Sequence, residues 1–208
     1  MIEQFGDYPA TFALIGINGL ISLYAFSSPA FMAAHILHIG ALVRYRQYYR
    51  LLSSGFVHAG LLHLAVNLFV LASFGPVVET IIGPVRLLIV YVAALIGGSY
   101  WTFLHNRMNA DYKAVGASGA ISGIVLSVCV FFPLSVVSVF FIPMPAIVFA
   151  VLFLLGSAIL AQRENRIIGH EAHLGGAVSG LAATVIVEPD AVGLFLDQMA
   201  GGFSGAPL

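Results

Sequence analysis

Charge is what this chain has least of. Only 8% of its residues are Asp, Glu, Lys or Arg, against about a quarter in an ordinary soluble domain. So little charge cannot coat a water-facing surface, which excludes a soluble globular protein and points to an integral membrane protein. The net charge of −1 leaves no basic footprint for nucleic acid. Cysteine is nearly absent as well. Cys129 stands alone inside an apolar run, so no intrachain disulfide can form and its role is packing. No Lys or Arg precedes the first apolar run, only Glu3 and Asp7, so that run reads as a retained helix and not a cleaved secretory signal. Neither a fixed-period repeat nor a terminal targeting motif is apparent. What is abundant is hydrophobic: 60% of the residues, with a mean hydropathy of +1.02. Against that background seven histidines stand out, because ionisable groups at membrane depth are costly and so tend to be functional.

A spanning helix needs about 20 apolar residues. By that measure Tyr8 to Phe26 is the first span, Leu61 to Ile82 the second and Val85 to Leu104 the third, the last two parted by Gly83-Pro84. The fourth runs from near Ala117 to Pro133. At roughly 16 residues, or about 24 Å, it is short of the ~30 Å hydrocarbon layer. Met144 to Ala161 is the fifth and Ala172 to Val187 the sixth. Between the first two spans lies a long, partly inserted loop. Its Arg44, Arg46 and Arg50 stand among Tyr45, Tyr48 and Tyr49, a mixture suited to the headgroup interface. Leu134 to Pro145 reads as an irregular connection, Gln162 to Gly169 as a charged loop, and Gly193 to Leu208 as a loosely ordered tail. The expected architecture is therefore an all-α membrane bundle of six helices. Residues 8–188 form one membrane domain, with a short N-terminal tail at 1–7 and a C-terminal tail at 189–208.

Three clusters carry chemistry. Ser118, within Gly116-Ala117-Ser118-Gly119, opens the short fourth helix, where free backbone N–H groups and the positive end of the helix dipole gather. That suits a nucleophile that must later stabilise an oxyanion. Gly119 and Gly123 share one face of this helix. In the second cluster, His173, Gly176 and Gly180 fall on one face of the sixth helix. Docking the two glycine faces would bring His173 beside Ser118 as its general base. No acidic residue marks a third point, so the reading is a Ser–His dyad. His170-Glu171-Ala172-His173 is one residue short of the H-E-x-x-H zinc spacing, which makes metal binding a poor fit. In the third cluster, His63 and Asn67 are one turn apart on the second helix. Aimed at Ser118, they would complete an oxyanion site with its backbone N–H. His58, just upstream, would brace the loop. Each polar residue alone fits interhelical hydrogen bonding equally well, and a lone glycine face fits ordinary helix packing.

Together these residues resemble the rhomboid family of intramembrane serine proteases. The matching pieces are Tyr49-Arg50, His58, His63 with Asn67, Glu79, Gly116-Ala117-Ser118-Gly119, and Ala172-His173 with Gly176 and Gly180. They cover the chain from Tyr49 to Val187. The resemblance implies Ser118 as nucleophile and His173 as base. It implies His63 and Asn67 as oxyanion helpers, and Tyr49, Arg50, His58, Glu79 and the glycines as support. Two positions depart from the family pattern. Tyr49 stands where the family has Trp. Ser122 stands where some members stack an aromatic ring on the catalytic histidine.

The implied function is cleavage of transmembrane segments of membrane proteins, inside the bilayer and without metal or organic cofactor. The implied partners are the bilayer and single-span substrates, and the implied location is the cell membrane, as a multi-pass protein. The rival from another class is a non-catalytic relative that binds transmembrane clients. A channel or transporter fits less well, since the ionisable groups cluster on the Ser/His helices. Sidedness is contested. Seven cations (Arg44, Arg46, Arg50, Arg107, Lys113, Arg163 and Arg166) fall on the side of the first, third and fifth connections, and only Arg86 on the other. The positive-inside rule alone makes the seven-charge side cytoplasmic. The resemblance implies the reverse, with the catalytic cavity opening outward.

Overall fold

The structure, a computed structural model, describes residues 6–139, 142–161 and 169–201, with no side-chain account of Val139 or of 156–161. It opens with helix α1 (Pro9–Ser27), whose start proline presets the backbone for the first turn. The first connection follows as α2 (Pro29–His35), a two-residue strand β1 (Leu37–His38), α3 (Ile39–Tyr45), α4 (Arg50–Ser53) and a 3-10 turn at Ser54–Phe56. Two long helices, α5 (Leu61–Ile82) and α6 (Pro84–Asn106), meet at Gly83, which takes a positive φ of 79°. Strand β2 (Lys113–Ala114) then leads into α7 (Ser118–Phe131). Strands β3 (Val136–Val139) and β4 (Ile142–Pro145), helix α8 (Ala146–Ala161), α9 (His170–Val187) and α10 (Asp190–Gly201) complete the described chain. Helices α1, α5 and α6 are long and apolar enough to cross a membrane. A fourth span is added if α9 and α10, bent by 103°, count as one, and α7 is shorter. The protein is thus a helical membrane protein.

At its centre is α7. Its residues from Gly119 to Cys129 are all buried, so it has no polar face to give to solvent or lipid and is surrounded by the other helices. Tyr91, Leu87 and Val90 of α6, Leu71 and Val78 of α5, and Ile124 and Val128 of α7 make the core. By contrast α8 is peripheral, with Val148, Val151, Leu152 and Leu155 exposed.

Polar groups fasten the outer helices to this core. Glu79, near the end of α5, is buried and caps the start of α1. Its Oε1 accepts from the Ala10 N–H (2.8 Å), and its Oε2 accepts from the Thr11 N–H (2.8 Å) and Thr11 Oγ1 (2.6 Å). A carboxylate at a helix N-terminus meets orphan N–H groups and the positive end of the dipole together. Glu79→Gln turns one acceptor into a donor facing those N–H groups. It is expected to lower stability by about 2 kcal/mol, read as a lower unfolding midpoint in detergent micelles. An unchanged midpoint would remove the capping role.

The first connection is built in the same way. The C-terminal carbonyls of α2 and those just after it are collected by α4 and the residue before it. Arg50 Nη1 donates to Ala33 O (2.9 Å) and Ile36 O (2.7 Å), Tyr49 Oη to Ala34 O (3.0 Å) and Ser53 Oγ to His35 O (3.0 Å). The Arg50 guanidinium, 5.5 Å from the Tyr49 ring centre, is buried, so its donors are taken up by the loop's own carbonyls.

Two stretches differ from expectation. The Leu134–Pro145 connection is not irregular: β3 and β4 pair antiparallel, with Val136 opposite Pro145 and Ser138 opposite Pro143. The β-branched Val136, Val137, Val139 and Ile142 favour extended backbone. The two prolines, two residues apart, keep to one edge of a two-stranded pair, where no ladder N–H is required. Nor is the tail loose over 193–201, while 202–208 lie outside the described residues. Helix α10 buries Ala191, and Gln198 Nε2 donates to Phe131 O (2.7 Å), capping the end of α7. The charged loop read at Gln162 to Gly169, with Arg163 and Arg166, lies outside the described residues except for Gly169.

Candidate active site

The start of α7 is held from two sides by backbone. On one side, β1 pairs with β2 (Leu37 opposite Ala114, His38 opposite Lys113), and the Ile39 and Gly40 N–H groups donate to Tyr112 O and Ala110 O (3.1 and 2.9 Å). On the other, the Gly116 N–H donates to Ser54 O (2.9 Å) and the Ala117 N–H to His58 Nε2 (3.3 Å). Gly116 has φ +115°, which a side chain would strain. A methyl group there would also lie 2.6 Å from His63 Cε1, so the glycine makes room for the imidazole. Ser118 is the first residue of α7. Its N–H points out of the helix start, the first intrahelical bond being Ile121 N–H to Ala117 O (3.0 Å).

Helix α9 approaches from the other side of this turn. A methyl on Gly119 would lie 3.0 Å from the Ala172 carbonyl oxygen. One on Gly176 would lie 2.8 Å from Gly119 Cα, and one on Gly123 3.0 Å from Gly180 Cα. The two glycine faces are therefore in backbone contact. Ala172, the residue before His173, touches Gly119, the residue after Ser118. Farther down the same seam Ser127 Oγ and Thr184 Oγ1 are 2.6 Å apart. Helix α6 closes the third side, since a methyl on Gly98 would sit 2.6 Å from the same Ala172 oxygen. Gly98 was not among the expected support residues. Its only sequence signal is a Gly97-Gly98 pair inside an apolar helix.

His173 is half-buried, with its ring stacked on Phe153 of α8 (6.1 Å between centres, 27° between planes) and edge-on to His170 (5.7 Å). The aromatic partner that Ser122 cannot supply thus comes from another helix. Ser122 Oγ instead donates to Ser118 O (2.7 Å). Among the described residues, no hydrogen bond joins Ser118 to His173. His63 stands edge-on to His58 (5.1 Å). Asn67 is buried one turn along from His63 and donates to the His63 carbonyl (2.8 Å).

The remaining expected residues sit apart from this centre. Tyr49 and Arg50 hold the first connection, and Glu79 holds α1. Glu171, in the first turn of α9, is also buried. It accepts from Asn106 Nδ2 (3.2 Å) and Tyr112 Oη (3.4 Å), tying the histidine helix to the end of α6 and the loop before β2. Burial, then the Glu171 charge, push the Tyr112 phenol well above its ordinary pKa, so it remains a donor. Burial, then the neighbouring His63, pull His58 down to about 4, so its ring is neutral at ordinary pH. Among the described residues, no three His, Cys, Asp or Glu side chains gather as metal ligands.

The model of the rhomboid domain matches residues 45–189, about seven-tenths of the chain. This chain belongs to the rhomboid family. Over 137 residues, 63% of this rhomboid, it is 31% identical to the presenilin-associated rhomboid-like protein, mitochondrial, of Homo sapiens, 36% of which is covered. It is 33% identical over 144 residues to RHOMBOID-like protein 12, mitochondrial, of Arabidopsis thaliana, the match covering 61% of this chain and 43% of that one. It is 30% identical over 156 residues to rhomboid protease GluP of Bacillus subtilis (strain 168), the match covering 74% of this chain and 29% of that one. The chain spans less than half the length of each of these relatives. Both mitochondrial and bacterial proteins are among them, so they lend no weight to the cell membrane over another.

Proposed function

We propose that this rhomboid is a serine endopeptidase that cleaves transmembrane segments of membrane proteins within the bilayer. Ser118 Oγ attacks the scissile carbonyl while a nitrogen of His173 takes its proton, and the same proton is later given to the leaving amine. The Ser118 N–H, with His63 and Asn67, receives the oxyanion. Water then hydrolyses the acyl-enzyme. A substrate helix must unwind before it can be cut, so small or helix-breaking residues near the scissile bond favour cleavage. The membrane domain spans 8–188 in six crossings, the short α7 and α8 included, and neither metal nor organic cofactor takes part. The observation carrying this reading is the backbone contact of Gly119 with Ala172, which makes neighbours of the start of α7 and the first turn of α9.

A second reading keeps the fold without the chemistry: a rhomboid-like protein that binds transmembrane clients. The missing Ser118–His173 hydrogen bond and the "rhomboid-like" names of several relatives favour it. Catalytic hydrogen bonds are often long before substrate arrives, which leaves the protease reading ahead. A fluorophosphonate probe separates the two. On protein reconstituted in vesicles, an adduct mapped to Ser118, formed equally with and without a chelator, is the expected result. No adduct at Ser118 would leave the client-binding reading in its place.

A further inference from the structure

We infer that Ser22, on the first helix, is a positioning residue for the reaction centre, acting through the tautomer of His58. The inference rests on Ser118 being the nucleophile.

Three hydrogen bonds run in one line. Ser22 Oγ lies 3.0 Å from Phe56 O and 2.8 Å from His58 Nδ1, and His58 Nε2 lies 3.3 Å from the Ala117 nitrogen. Ser22 and His58 are wholly buried and Ala117 very nearly so. A carbonyl only accepts, so the single Ser22 hydroxyl proton goes to Phe56 O. The Ser22 oxygen is then left as an acceptor toward His58, and Nδ1 carries the ring proton. In a neutral ring Nε2 is consequently a bare lone pair, which is what the Ala117 N–H requires. Reversing the tautomer would set two donors against each other at Ala117 and two acceptors against each other at Ser22.

The consequence reaches the reacting groups through one peptide unit. Ala117 is the cap residue of α7, and its N–H is the last backbone donor before Ser118 to be held by a partner outside the helix. With Gly116 N–H on Ser54 O, it sets the angle at which the Ser118 N–H and hydroxyl are offered. His58 also packs edge-on against His63, the expected oxyanion donor. A hydroxyl on the first helix thus orients a loop histidine, and that histidine orients the turn carrying the nucleophile. Nothing in the spacing of residues 22, 58 and 117 announces the link.

The test reads the tautomer directly and the kinetics separately. Full-length protein carrying ¹⁵N-histidine is reconstituted, and the His58 signals are assigned by their loss in His58→Gln. The wild type is expected to show a protonated Nδ1 and an unprotonated Nε2 at neutral pH. Ser22→Ala should lose that pattern and lower kcat about tenfold, the worth of one buried hydrogen bond, with KM unchanged. Ser22→Thr, which keeps the hydroxyl, should retain both. Ser22→Cys serves as the weak-donor variant should alanine not fold. A wild-type His58 protonated at Nε2 would overturn the inference. So would a Ser22→Ala protein with unaltered His58 signals, or one whose tautomer changes while kcat does not. The tautomer is measured without turnover, so loss of the protease reading, seen as cleavage that survives Ser118→Ala, is a separate result.

Discussion

Ser118→Ala and His173→Ala are each expected to lower the cleavage rate of a single-span substrate by about 10⁴-fold or more, and the double variant to lose no more than either alone. A nucleophile and its base act as one unit: without the base the hydroxyl is a poor nucleophile, and without the hydroxyl the base has no proton to take. The contact of Ala172 with Gly119 makes the same demand structurally, since it puts the two residues on neighbouring turns. Neither alanine should disturb the fold. Ser118 makes no side-chain hydrogen bond among the described residues, and the helix seam is held by glycine backbone. Matching thermal midpoints for wild type and variants in detergent are the control. Losses that multiply in the double variant would mean two independent roles and would end the dyad. Cleavage surviving Ser118→Ala would end the serine mechanism.

How much of this was legible beforehand depends on whether the chain marks a feature locally. The second span reads directly because Gly60 and Gly83 flank a long apolar run, and α5 runs between them, Leu61–Ile82. The glycine faces read from period alone, because two glycines four apart must share a side. What joins distant segments does not read. Phe153 reaches His173 from α8, and no pattern at position 153 distinguishes it from other apolar residues of that helix. The line from Ser22 to Ala117 crosses three segments with a different residue type at each step. Arg50 misleads for another reason. Among tyrosines it looks like an interface anchor, yet it is buried on the carbonyls at and after the end of α2. The β3–β4 pair and α10 were hidden by composition: prolines in an apolar run, and glycines at 193 and 201 in a short amphipathic one.

Gly176→Leu is expected to abolish cleavage and to lower stability by about 3 kcal/mol or more, while Gly193→Ala leaves cleavage as it was and does not lower stability. At Gly176 even a methyl group would overlap the Gly119 carbonyl and approach Gly119 Cα to 2.8 Å. Those neighbours are backbone in the middle of a buried helix start, so no rotamer change can relieve the clash. The helices must part, and overpacking of this kind costs about 1–3 kcal/mol when side chains can yield and more when they cannot. Parting them by 1 Å also moves His173 from Ser118, and a shift of that size is worth about 10²-fold in rate before any unfolding. Gly176→Ala therefore separates the two effects: folded protein with a rate down about 10²-fold places the seam at the centre of the chemistry. Gly193 is the matched control, since a methyl there meets nothing within 4 Å in α10 and alanine is the better helix former. Thermal midpoints and cleavage rates of the three variants decide the matter. If Gly176→Ala cuts as fast as wild type, the close approach of α7 and α9 is packing alone, and the neighbourhood of residues 118 and 173 loses its catalytic meaning.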